Sequence, residues 1–467
     1  MKLYNSCQRF YLGITILLCG FLPNISAQEN SGIEYYQANT SYWQYHGKPI
    51  LLLGGSSEDN LFQIADLEKE IELIKSCGGN YVRNTLSSRD SGNVWPFKID
   101  KKSGLYDLDK WNSEYWSRLE NFFKLTNENS IIVQMELWAT FDYYRDYWAV
   151  NPFNPKNNIN YTFERTKIDT VVTTHPIFCD NDFFRSVPMM DNNMPVLYYQ
   201  QKFIDKVLSH SLKYDNVLYC IDNETSVSAT WGKFWAEYIT KIAVENGKTI
   251  HVTEMWDPHN LDHISHRETF DHPETYSFVE ISQNNHQKGE AHWINGLEQL
   301  RRLQSPELKR PINNVKTYGN DLGRHGHGSQ NGKESFVRSI FFGSAASRFH
   351  RPNSGLGISE EAQNVIKSLR VATDSIDFFE SKTGDLFMLD RAPNESYCRY
   401  TNEGDYLIFF TDGGNIELNA PSVKYELKWL EVKTASWFHE SIIEPTKNIK
   451  LTAPGGGLWF ALLKALE

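Results

Sequence analysis

Ile50-Leu51-Leu52-Leu53-Gly54 runs into Ser56-Ser57-Glu58-Asp59, after which Leu67, Ile71, Ile74 and Cys77 recur at helical spacing until Gly78-Gly79 stops the pattern. A short apolar run that ends in polar residues, followed by a longer run with one apolar face, reads as a strand and then a helix, with Asp66 placed to cap that helix. Working outward, the same apolar-to-polar signature predicts strands at 80–85, 131–137, 217–221, 249–253, 276–281, 312–317 and 345–349. Helical periodicity fits between them at 111–125, at 196–210 behind Pro195, and at 234–244. Eight such units predict an α/β fold, a (β/α)8 TIM barrel over residues 28–380. Residues 139–194, rich in Asn, Asp, Pro and aromatics, form a long insertion on the strand-to-helix side, where a barrel keeps its active site. The insertion is expected to cover that site as a lid or wall.

Composition removes several classes of function. The 467 residues are 40% hydrophobic, enough for a large core and too apolar for global disorder. With 47 Lys plus Arg against 58 Asp plus Glu, the formal net charge of -11 provides no field for nucleic acid. Aromatics reach 14%, and many fall in polar segments, as walls for sugar rings would. Trp138 and Trp256, just past the third and fifth strands, are the candidates to line such a cleft.

Lys2 and Arg9, the apolar run 11–22 and the small residues Ile25-Ser26-Ala27 form a signal peptide over 1–27. The mature chain is therefore expected to be exported to the periplasm, without a lipid on Cys19, because Leu rather than Gly or Ala precedes it. No later run approaches the roughly 20 apolar residues of a membrane helix. Cys7 and Cys19 leave with the signal, and Cys77, Cys179, Cys220 and Cys398 are far apart with no CxxC spacing. A cysteine metal site is not expected.

After a helix at 359–379 the pattern changes to short apolar runs at 386–389, 396–400, 406–410, 416–418, 425–430 and 458–463, separated by Asn394, Gly404, Gly413-Gly414 and Pro454-Gly455. This predicts a small antiparallel β-sandwich over 381–467. Its residues 425–437 and 454–463 resemble the domain of collagen-binding type that follows the barrel in many bacterial glycosidases. A role in bracing the barrel is the expected one.

Barrel chemistry sits at the C-terminal ends of the strands. The fourth strand ends Ile221-Asp222-Asn223-Glu224 and the second ends Arg83-Asn84. Both resemble the clan A glycoside hydrolases, and the resemblance implies that Glu224 is the acid/base and that Asn223 contacts a sugar hydroxyl. The clan also places a nucleophilic carboxylate at the end of the seventh strand. Here that stretch reads Asn313-Asn314-Val315-Lys316-Thr317-Tyr318, with Lys316 where the carboxylate would stand. Glu136, Glu254 and Glu280, on strands three, five and six, are the substitutes an unconventional hydrolase could use.

Cationic strand ends fit a second chemistry. Eliminating a group from C4 of a uronic acid needs a cation on the carboxylate, a base for the C5 proton and an acid for the departing oxygen. Arg83, Lys316, Tyr318, His325, His327, Arg348, His350 and Arg351 are of the right types and lie at or beyond strands two, seven and eight. Neighbouring cations depress a lysine pKa and make Lys316 a usable base. Together these features are similar to the oligosaccharide dehydratases with which marine Bacteroidetes degrade ulvan. The resemblance implies a carbon–oxygen lyase that leaves a C4–C5 unsaturated sugar. Glu224, Lys316, Tyr318 and His350 are then the catalytic candidates, and Arg83, Asn84, Asn223, Trp138, Trp256, Arg348 and Arg351 the substrate-binding ones. Hydrolysis with Glu224 as acid/base, and a non-catalytic glycan-binding barrel, are the alternatives. His251, His259, His263, His266, His272, His286 and His292 include no HExxH pair, so neither metal nor cofactor is expected. The expected partner is an acidic oligosaccharide.

Overall fold

The computed structural model describes residues 32–322 and 327–466. The signal peptide, Cys7, Cys19 and His325 lie outside the described residues. Parallel strands form the central layer: β1 Leu52–Gly55, β2 Tyr81–Thr85, β3 Ile132–Trp138, β4 Val217–Asp222, β5 His251–Thr253, β6 Val279–Glu280, β7 Ile312–Asn313 and β8 Ala346–Phe349. Six of them run in the order β5-β4-β3-β2-β1-β8, and β6 pairs with β7. Further hydrogen bonds join the two groups, from Ser277 N to the Val252 carbonyl at 2.9 Å and from Ala345 N to the Ile312 carbonyl at 2.8 Å. Helices cover the sheet, which explains why the strands read as unbroken apolar runs rather than alternating ones. Every residue of β2, β3 and β4 is buried.

Gly54 shows how closely the strands approach. A Cβ there would lie 1.8 Å from the Tyr81 carbonyl oxygen, so no larger residue fits between β1 and β2. The following helix, α1 Leu67–Ser76, buries Leu67, Ile71 and Ile74 as its spacing requires. Asp66 stands at its N-cap position but makes no side-chain capping hydrogen bond. Its carboxylate instead pairs with Lys69 at 3.1 Å on the surface.

The insertion after β3 is tightly packed. Tyr143, Trp148, Phe153 and Phe183 are buried, and Phe183 lies 4.6 Å from the Tyr143 ring and 5.7 Å from Trp138, centroid to centroid. Its asparagines stand in for regular secondary structure. Asn154 Nδ2 donates to the Trp148 and Thr170 carbonyls, both at 2.9 Å, and Asn158 Nδ2 to those of Pro152 and Asn154 at 3.1 and 3.0 Å. Buried backbone acceptors that no strand or helix partners are satisfied in this way. The aromatic residues thus extend the core of the parallel strands outward into the insertion.

The C-terminal strands are β9 Ser396–Tyr400, β10 Tyr406–Phe410, β11 Asn415–Asn419, β12 Lys424–Glu431, β13 Ser436–Ile443, β14 Asn448–Thr452 and β15 Trp459–Leu466. All their pairings are antiparallel, in a sheet containing β9-β10-β15-β12-β13 and a separate β11-β14 ribbon. Alternation along β10 divides the contacts: Tyr406, Ile408 and Phe410 join the ribbon's core, while Leu407 and Phe409 join the core beneath the parallel strands. The strand expected at 386–389 is not formed. Asp385–Phe387 is a single 3-10 turn with Leu386 95% exposed.

Candidate active site

Two strand ends are held rigidly before any catalytic side chain enters. At the end of β4, the buried Asp222 carboxylate accepts from the backbone N–H of Thr140 at 2.9 Å, that of Asn223 at 2.7 Å, and the Thr140 hydroxyl. Burial outweighs these bonds and pushes its pKa up to about 7. Two residues on, Glu224 turns left-handed with φ +49°, a conformation costly to a residue with a Cβ. Thr225 N then bonds to the Met255 carbonyl at 2.8 Å and Asp257 N to the Thr225 carbonyl at 2.9 Å, tying the chain to the segment after β5. Beyond β7, Lys316 N donates to Ser282 Oγ at 2.9 Å and its carbonyl accepts from Asn285 Nδ2 at 2.9 Å.

The two ends meet in one contact. Lys316 Nζ lies 2.8 Å from Glu224 Oε1, with the lysine side chain 2% exposed and the glutamate 19%. The Tyr318 hydroxyl donates to the same oxygen at 2.7 Å. Burial alone would raise the Glu224 pKa, but the Lys316 charge, the hydrogen bonds from Lys316 and Tyr318, and Arg83 hold it well below the usual carboxylate range. Burial lowers Lys316 below an ordinary lysine, against the pull of Glu224. Burial and the Glu224 charge hold the Tyr318 phenol protonated. The rings of His286 and His350 lie 5.3 and 5.2 Å from Tyr318, and His259 stacks on His286 at 3.5 Å.

A buried ion network underlies this group, with Asp59 at its centre. Asp59 meets Arg83 at 2.5 Å, Arg89 at 2.9 Å, Arg351 at 3.1 Å and the His350 ring at 3.5 Å. Burial opposes its ionisation, yet these cations hold its pKa well below the ordinary value. Burial likewise keeps His350 neutral despite Asp59, and its Nδ1 faces Ser354 Oγ at 2.6 Å.

Several sequence expectations change at this point. Arg83 is spent on Asp59 and on Glu136, both bonds to the latter being 2.6 Å, and is fully buried, so it supports the site rather than reaching substrate. Arg348 is also fully buried, donating to the Val315 carbonyl at 3.0 Å and to Ser56 Oγ. Asn84 holds the chain after β1 by accepting from Phe62 N at 3.0 Å. Trp138 is enclosed by Phe183, Phe203, Trp231 and Trp235, and Trp256 is buried with its indole N–H on Thr269 Oγ1 at 2.7 Å. Neither tryptophan is a sugar platform. Glu136 is taken up by Arg83, Glu280 accepts from Ser282 N at 2.7 Å and from its hydroxyl, and the Glu254 carboxylate lies against Gly232, so none of the three joins the Lys316–Glu224 contact.

Arg351 stays 20% exposed while paired with Glu58 at 3.0 Å, and buried Asn223 keeps an unpartnered Oδ1. Sequence reasoning missed Asp59, Gln283 and Asp257. Gln283 Nε2 lies 3.4 Å from Glu224 Oε1. Asp257 is half-buried, and burial with the Glu224 charge raises its pKa. Both aspartates follow strand ends and were legible by the rule that singled out Glu224. Among the described residues no three of His, Cys, Asp and Glu are grouped to hold a metal ion.

A family model described as a domain of unknown function, DUF6298, matches residues 97–282. No curated protein matches the chain. Among solved structures, a glycoside hydrolase superposes with TM-score 0.61 at 11% identity, covering 93% of this chain and 97% of its own. A family 5 glycoside hydrolase from Bacteroides vulgatus ATCC 8482 gives TM-score 0.62 at 12% identity, covering 93% of each chain. A variant of the family 5 mannosidase from Rhizomucor miehei gives 0.50 at 14% identity, over 73% of this chain and 97% of that one. The chain has the fold of the family 5 glycoside hydrolases. The first two superpositions span 93% of it, which cannot be reached without the C-terminal strands.

Proposed function

We propose that this chain is a glycan-processing enzyme that removes water across C4 and C5 of a terminal uronic acid on an acidic oligosaccharide. The observation that carries this reading is the 2.8 Å contact between Lys316 and Glu224, which puts an amine where a family 5 fold would hold its second carboxylate. In the proposed step Lys316 Nζ takes the C5 proton and the C5–H electron pair becomes the C4–C5 double bond. The C4–O bond breaks, and the Tyr318 hydroxyl gives its proton to the leaving oxygen, so that water departs. Arg351, still partly exposed, receives the carboxylate, and Glu224 orients both proton-transfer groups.

Closure of the eight parallel strands into a barrel is part of the same reading, supported by the Ser277–Val252 and Ala345–Ile312 hydrogen bonds. The same reading has the mature enzyme start at Gln28 and work in the periplasm, an expectation supported by the signal-like pattern of Lys2, Arg9 and Ala27.

Hydrolysis is the second reading, favoured by the opposed pKa shifts of Asp257 and Glu224. Where the Glu224 charge raises its neighbour in this way, the raised carboxylate can serve as the acid and the lowered one as the base or nucleophile of a glycosidase. Mass spectrometry of acidic oligosaccharides after incubation separates the readings. Loss of one water with an ultraviolet-absorbing alkene supports elimination. Cleavage with gain of water, abolished by Asp257→Asn, supports hydrolysis, and no change at all leaves only a glycan-binding role.

A further inference from the structure

The opening turn of the insertion holds one aromatic ring out of the core. In the 3-10 turn Thr140–Tyr143, Thr140, Asp142 and Tyr143 are buried, whereas Phe141 is half-buried and its ring belongs to neither hydrophobic core. Its two neighbours fix it there. Thr140 N donates at 2.9 Å to the Asp222 carboxylate that ends β4, and the Asp142 carboxylate receives Arg89 at 3.0 Å and the Ser87 hydroxyl. Leaving a phenyl ring partly in water forfeits the stabilisation that burial would give. The same rigid footing lets the ring meet a ligand with little further loss of freedom. Among the described residues the one ring packed against Phe141 is His175, edge-on at 5.5 Å.

His175 connects that ring to the candidate active site. Its Nδ1 accepts from Ile177 N at 3.3 Å, so the neutral imidazole carries its proton on Nε2 and offers a donor there. Asp257 lies within electrostatic reach of Glu224, Lys316 and His175 alike. From His175 the chain runs through Ile177 and Phe178, 54% and 70% exposed, to Cys179, whose Sγ donates at 2.7 Å to the carbonyl of Ser226, two residues past Glu224. An accessible aromatic ring with a polar donor at its edge matches a sugar, which has a face of C–H groups and a rim of hydroxyls. We propose that Phe141 and His175 form a subsite for the second sugar of the substrate, with the C–H face of a pyranose on the Phe141 ring and one of its oxygens accepting from His175 Nε2. The proposal rests on the elimination reading, in which the reacting uronic acid is the non-reducing end. The bound chain can then continue only toward its reducing end, so the subsite takes the ring directly after the uronic acid, and that ring must offer an unsubstituted face. The substrate is accordingly an oligosaccharide of two units or more rather than a free uronic acid.

Calorimetric titration of the full-length protein with glucuronic acid, galacturonic acid and the disaccharides cellobiouronic acid and digalacturonic acid reads the contribution of the second ring as a ratio of affinities. At least one disaccharide is expected to bind about tenfold tighter than its parent monosaccharide. Phe141→Ala should erase that advantage at unchanged Tm, and Phe141→Tyr, which keeps the aromatic face, should restore it. His175→Ala, on a separate segment, should reduce the advantage several-fold and carries the test if Phe141→Ala fails to fold. Equal affinity for monosaccharide and disaccharide in the wild-type protein, or an advantage that survives Phe141→Ala, overturns the subsite. An advantage lost in Phe141→Ala, with no alkene formed by the wild-type protein from any of the four sugars, would keep the subsite and reject the elimination. Alkene formation from a disaccharide at an unchanged KM in Phe141→Ala would do the reverse.

Discussion

Lys316→Ala removes the amine while leaving Arg351 in place, which separates chemistry from binding. Formation of the ultraviolet-absorbing alkene should cease while substrate affinity, read by calorimetry, stays within a few-fold. Glu224→Gln keeps an acceptor for Lys316 and Tyr318 but removes its charge, and turnover should fall by about two to four powers of ten. Its pH profile carries the sharper information. Lysine acts as a base only when neutral, so the rate rises with pH through the Lys316 titration, and burial sets that rise below an ordinary lysine. The Glu224 charge is what holds the proton on. Without it the rising limb should move to lower pH, and a limb that stays put would deny any coupling between the two groups.

At the scale of elements, the strand ends decide what was legible. Buried parallel strands announce themselves as apolar runs, so β1 to β8 were all found near their true positions. Strands β13 and β14 were not: Asn448–Thr452 alternates between exposed and buried, and Ser436–Ile443 buries none of its described residues and mixes Ser and Glu with its apolar ones, so neither reads as an apolar run. The roles of Arg83 and Trp138 were misread for a different reason. A side chain's type shows what it could bind, whereas its occupation by Asp59, Glu136 or a cage of rings arises between distant segments. Gly54 offers the test at this scale. Gly54→Ala forces β1 away from the Tyr81 backbone, and chemical denaturation should show a loss on the order of 1–3 kcal/mol, as overpacking costs, or failure to fold.

Across the whole molecule, the C-terminal sheet acts as part of the main core. Phe409 and Phe460 lie 5.9 Å from the Phe341 ring, and Arg399 donates to the Phe341 carbonyl at 3.1 Å and the Ser381 carbonyl at 2.5 Å. Truncation after residue 380 would expose this face as one apolar patch. The shortened chain should be insoluble or aggregate on expression, and heating the full chain should give one calorimetric transition. Two separated transitions would mean that the sheet folds alone.

The left-handed turn at Glu224 and its buried contact with Lys316 have a joint consequence for how the sequence can drift. Losing either side chain alone strands its partner in a desolvated place, whereas losing both lets glycine relax the backbone and an apolar residue fill the lysine's space. The double variant Glu224→Gly, Lys316→Met should therefore melt above the Glu224→Gly single variant, although neither turns over substrate. Relatives that have abandoned the reaction should carry replacements at both positions together, so that a change at one and not the other becomes a mark of a chain still at work.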